Sequence, residues 1–153
     1  MKNLFNRKVK AEILNRVNKL QPNSEKLWGK MTVNEMVCHC ADQIRVALAK
    51  IKTKPDGNFF TRTFVKQVVL LGLPAPKGKI KTFPEIDLAL GNGTKPASFD
   101  SDIRELINLI NEFTNAKEDF SWPEHSVFGK LSKKQWGRIV YLHLNHHLTQ
   151  FSV

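Results

Sequence analysis

The sequence is poor in acid, in cysteine and in long apolar runs, and each shortage closes off a class of protein. Only 14 side chains are Asp or Glu against 24 Lys or Arg, a formal net charge of +10. Such a surface can draw nucleic acid, anionic lipid or acidic small molecules, and the sign alone does not choose among them. The basic residues are dispersed, with one denser patch at Lys77, Lys79 and Lys81 and no aromatic interleaving or helix-turn-helix pattern. A solvated basic surface is therefore the plainer reading, and nucleic-acid binding the lesser one. The two cysteines, Cys38 and Cys40, stand two apart, which on a helix turns them to different sides and leaves them badly placed for a disulfide. Reduced thiols fit the cytoplasm. Cys40 falls on an apolar face and reads as a small core residue, while Cys38 carries no signal. The longest strongly apolar stretch, residues 68–73, contains Gly72 and is ended by Pro74, far short of the ~20 residues of a membrane-spanning helix. Residues 1–8 carry charge with no apolar core or small-residue cleavage site after them, so they do not read as a secretion signal and a cytoplasmic location is the default expectation. Strand signals, internal repeats and low-complexity blocks are also scarce.

What is present is an ordinary globular composition, 41% hydrophobic and 25% charged, enough for one domain over residues 1–153 that buries its core without disulfides. Residues 4–20 repeat Phe5, Val9, Ile13, Leu14, Val17 and Leu20 at helical spacing. Thr32 and Glu35 have the spacing of a capping box, so a second helix starts near Thr32 and carries Val33, Met36, Val37, Cys40, Ile44, Ala47, Leu48 and Ile51 on one arc until residues 55–57 stop it. Residues 59–71 predict a shorter third element with Phe60, Phe64, Val68 and Leu71 along one side. Residues 72–99 hold four prolines and four glycines and predict a long excursion, either a lid or binding surface or a crossover between helices. Asp100 or Ser101 then caps a helix with Ile103, Leu106, Ile107, Ile110 and Phe113 in period, and the Ser132–Gln135 spacing opens a last helix from Lys133. Long amphipathic helices with one long connection predict an all-α helical bundle.

His143 and His147 lie one turn apart within the apolar arc of that last helix, with Trp136, Val140 and Phe151. Two buried imidazoles so close need partners for their nitrogens, and one metal ion serves both. His39 sits on the flank of the second helix's apolar arc beside Met36, Gln43 and Val46, where a helix seam would bring it in as a third ligand. Chance, hydrogen-bonded packing or surface decoration is the commoner origin of a lone pair of this spacing, which by itself is a weak motif. His125, in a loop after Trp122 and Pro123, could reach the site entrance as a proton donor or anion contact, but tethering its loop is the stronger reading. His146 reads as a solvent-side or flanking residue, Asn145 or Gln150 as a group able to orient an imidazole, and Trp28, Trp122 and Trp136 as packing.

Residues 27–39 (LWGKMTVNEMVCH), 124–132 (EHSVFGKLS), 135–138 (QWGR) and 143–151 (HLNHHLTQF) stand in the order found in the DinB/YfiT-like metalloenzyme superfamily, and the chain most resembles its small branch of uncharacterised DinB-like proteins. The resemblance implies a four-helix bundle of up-down-down-up type with a three-histidine metal site, the ligands falling on His39, His143 and His147. Three departures stand out: no arginine where relatives read Arg-x-Gln before Gln150, Ser126 where a proline is expected, and Ser152 in place of glycine. None touches a ligand.

A three-histidine site with an open position would activate water or a thiol by Lewis acidity. Zinc suits it best, and imidazole also suits nickel and iron. Superfamily members that use low-molecular-weight thiols imply a metal-dependent transferase or hydrolase, with a thiol cosubstrate and a small, anionic substrate gathered by the basic loop. The rival class is a non-catalytic metal binder, kept open because no glutamate of the HExxH kind accompanies the histidines; a basic nucleic-acid-binding bundle is the further rival. A homodimer through an outer face is compatible with either.

Overall fold

The computed structural model describes residues 1–73 and 82–153. The expected excursion over 72–99 falls partly outside the described residues, and so do Lys77, Lys79 and Lys81. Among the described residues there are five α-helices, α1 (Arg7–Val17), α2 (Val33–Ala47), α3 (Lys66–Leu71), α4 (Phe99–Thr114) and α5 (Lys133–Gln150), and no strand. The all-α expectation is met. Among them no helix is long and apolar enough to cross a membrane.

Helix starts follow from local hydrogen bonding. Asn6 opens α1 by accepting from the Lys8 and Val9 amides at 3.0 and 3.2 Å. Thr32 opens α2 with a complete capping box: its hydroxyl accepts from Glu35 N, and the Glu35 carboxylate accepts from Thr32 N at 2.7 Å. Ser132 and Gln135 repeat the device at α5. At α4 the sequence expectation is two residues late at its nearer choice, Asp100, because the cap is Ser98, whose partner at the third helical position is Ser101 rather than an acid. Asp100 and Asp102 lie in the first turn, where carboxylates favour the exposed amides.

Helix α2 is central. It packs against both α4 and α5, while α1 packs on the same two helices. Beyond the expected arc, Cys38, Ala41, Asp42 and Val46 are also buried, which makes α2 a core helix on nearly every side rather than a one-faced surface helix. Leu4, Ile13, Val17, Met36, Ile44, Leu106, Ile110, Phe113, Trp136, Leu144 and Leu148 are at most 1% exposed and form the continuous core. The amino-terminal strap crosses α5 at Gly137, where Leu4 N donates to Gly137 O and an added Cβ would strike the Phe5 ring. Phe5, Phe113, Phe120 and Trp122 close that end of the core with ring centroids 4.7–5.9 Å apart.

The shorter third element is present over the expected residues. A single π-helical run, Thr61–Val65, leads into α3. Of the four side chains expected along one side, Phe60, Phe64 and Leu71 point outward at 58–67% exposure and Val68 is half-buried, while Leu70 is the buried residue. Beyond the undescribed residues, two 3-10 turns, Pro84–Ile86 and Leu88–Leu90, bring Ile86 onto the core. Asp42, 1% exposed, then anchors the chain by accepting from both the amide and the hydroxyl of Thr94 at 2.7 Å and pairing with Arg45.

Candidate metal centre

Helix α2 carries Met36 and Cys40 into the core and turns His39 towards α5. There His143 and His147, four residues apart, share one face. The three expected ligand positions are brought together: their ligand nitrogens all lie within 4.8 Å of one another. The ring centroids are 4.6 to 4.9 Å apart, and the Nε2 atoms of His39 and His143 are separated by 3.0 Å. For comparison, nitrogens sharing one tetrahedral zinc stand about 3.3 Å apart. His39 and His147 are buried, and His143 is partly exposed.

These rings are neutral. Burial holds His39 at about 4 and His147 at about 3, in the second case with His39 adding to it and the Gln150 hydrogen bond opposing it. Burial, then the neighbouring His147 and His39, lowers His143 well below the ordinary imidazole range. A neutral imidazole is the form that ligates metal, so the donor set fits a divalent ion. The three histidines can hold one.

The neighbours divide as follows. Gln150, not Asn145, meets a ligand ring: its Oε1 lies 2.9 Å from His147 Nδ1, and its Nε2 donates to Trp28 O at 2.6 Å. Asn145 is engaged by Arg16 at 2.7 Å, an arginine that also donates to Thr149 Oγ1 and Val153 O. His146 is half-buried on the flank, its ring 5.1 Å from His147 and 5.9 Å from Trp28. His125 stays outside the cluster. Its Nδ1 accepts from the amides of Val127 and Phe128, its ring stacks on Phe128, and its backbone pairs with Gly129. It tethers the loop, as the stronger reading had it.

The thiols do not join the histidines. Cys40 donates to Met36 Sδ, and burial, first, then the nearby Asp102, push the Cys38 thiol up to about 12. Trp122 and Trp136 pack as expected, the latter donating to Pro123 O at 3.2 Å, whereas Trp28 stands beside the site. Sequence reasoning missed Asp42, one turn beyond His39. Its only signal was an acid among apolar residues on a helix otherwise suited to burial, and such a residue needs paired hydrogen bonds to stay there.

With this geometry in hand, the sequence profile of a family described as "Protein of unknown function (DUF1569)" matches residues 7–153. The chain belongs to that family. The match runs through all five helices and both sides of the histidine cluster. No curated protein and no solved structure matches the chain.

Proposed function

We propose that the chain is a metal-dependent enzyme, a thiol-dependent transferase or a hydrolase, working through His39, His143 and His147. The supporting observation is the convergence of three neutral imidazoles from two helices on one point, with no carboxylate or thiolate completing the set among the described residues. Three protein ligands leave a four-coordinate ion at least one position for water or substrate, the arrangement of catalytic rather than structural sites. The bound ion, zinc by preference and nickel or iron by ligand type, would supply the Lewis acidity that makes water or a low-molecular-weight thiol nucleophilic near neutral pH. The chain's own part is to hold the ligands neutral by burial, to orient them, and to keep bulk water from the α2–α5 seam. A net charge of +10 favours a small anionic substrate. In this reading α1, α2, α4 and α5 are the four helices of an up-down-down-up bundle of the DinB/YfiT kind.

The lack of a carboxylate in the cluster favours one second reading, a passive metal holder. Elemental mass spectrometry of untagged protein tests the site itself. Near-stoichiometric metal is expected in the wild type, and its loss in His39→Ala and His143→Ala. A wild type that neither carries nor takes up zinc, nickel or iron would overturn both readings. Metal- and thiol-dependent turnover of a small electrophile, or metal-dependent hydrolysis, separates the enzyme from the passive holder.

A further inference from the structure

Gln150 is the last residue of α5, and it is gripped twice by the connector that precedes α2. Leu27 N donates to Gln150 O at 2.8 Å, and the Gln150 side chain meets Trp28 O at 2.6 Å. A backbone carbonyl can only accept, so the amide end of Gln150 must face it. The carboxamide oxygen is then the atom 2.9 Å from His147 Nδ1. An oxygen also can only accept, so Nδ1 must carry the proton. Turning the carboxamide over would set oxygen against oxygen at Trp28, which the 2.6 Å separation forbids.

We infer that Gln150 is a positioning residue that fixes His147 as the Nδ1–H tautomer and thereby dedicates its Nε2 lone pair to the metal. The inference rests on the metal reading above and assigns the ligand atom and what selects it. Gly29 is the other half of the device. It has φ +85°, in the region glycine tolerates, and an added Cβ would run into Gln150 Nε2. Only a glycine lets the connector close on the carboxamide. Three residues on, the same connector becomes the Thr32 cap of α2, the helix that carries His39. Residues 27–32 therefore set His147 through Gln150 and lead directly into the helix that places His39, so one short stretch aligns ligands from both helices.

The test uses full-length protein. Long-range nitrogen–proton correlation spectra of the metal-free wild type read the imidazole tautomers directly, and His147 is expected to be protonated at Nδ1. In Gln150→Leu that preference should collapse to a mixture or to Nε2–H. Zinc affinity, measured against a competing chelator, should fall about 10–100-fold, the usual effect of losing an orienting partner. Gly29→Ala should weaken zinc in the same direction while leaving the carboxamide chemically intact. A role in packing alone would lower the melting temperature without moving the tautomer.

An Nε2–H tautomer in the wild type would overturn the inference. So would a Gln150→Leu variant with wild-type tautomer and zinc affinity. If Gln150→Leu does not fold, the wild-type spectrum and Gly29→Ala still decide. If the wild type binds no metal, the metal reading fails by itself, and the tautomer spectrum still reports on Gln150.

Discussion

At His125 the ring is buried against Phe128 and accepts two backbone N–H bonds through Nδ1, and both the burial and the accepted bonds favour the neutral imidazole. Burial lowers its pKa from the usual 6.5 to about 4. Between those values the unfolded chain takes up a proton that the native state refuses, so stability falls as pH drops from 6.5 to 4 and levels off below. In full this amounts to about 3 kcal/mol at 1.36 kcal/mol per pH unit. His125→Asn keeps an acceptor near the Nδ1 position and does not titrate. Urea unfolding in EDTA at pH 7 and pH 4.5 should show a smaller difference for the variant than for the wild type, whatever the substitution costs at pH 7. An unchanged difference would mean the ring titrates normally.

At the same scale, the legible part of the site was its spacing. Four residues on a helix put His143 and His147 on one face by geometry alone, and His39 followed from its place on the flank of an apolar arc. What spacing cannot show is which polar neighbour reaches a ring. Asn145 and Gln150 were equal candidates in sequence. The choice depended on Arg16, whose guanidinium takes Asn145, and on a connector more than a hundred residues earlier that holds Gln150.

Among the elements, the capping boxes at Thr32 and Ser132 were readable because both hydrogen bonds lie within four residues. Removing either cap by Thr32→Ala or Ser132→Ala is expected to cost about 1 kcal/mol. For a domain of this length that is a fall in Tm of about 2–4 °C, measurable by differential scanning calorimetry of the metal-free protein. No change would mean the helix start is held by tertiary packing instead. Ser98 was missed because its partner is a second serine, a weaker local signal than the acid two residues on. The stripe of residues 60, 64 and 71 shows a different limit. Periodicity assigns side chains to a face but does not say which face turns inward. Burial of Leu70 and the bonds from Arg138 to the carbonyls of Leu70 and Leu71 turned the larger side chains out. Phe60→Ser with Phe64→Ser should therefore leave Tm nearly unchanged, as surface substitutions do within about 0.5 kcal/mol, and should lower binding of a hydrophobic dye. A large drop in Tm would mean the stripe is packed.

Across the whole molecule, the histidines join α2 to α5, and His39 lies 104 residues from His143. An ion bound only by the folded form adds to global stability by mass action, about 2.7 kcal/mol at a free concentration one hundred times its Kd. Added zinc should accordingly raise the Tm of the wild type and leave that of His143→Ala in place; equal shifts in both would locate the metal elsewhere. The aromatic arrangement bears on how such binding can be observed. Trp136 is sealed in the core at 1% exposure, while Trp28 is partly exposed, its indole 5.9 Å from His146 and its carbonyl on Gln150. The third indole, Trp122, is also partly exposed but packs among Phe5, Phe113 and Phe120, so of the two wetter tryptophans only Trp28 is linked to a ligand through a single side chain. The protein thus carries its own optical probe: cobalt or nickel loading should quench the red side of the tryptophan emission first, and the centre can be followed in real time with no label added.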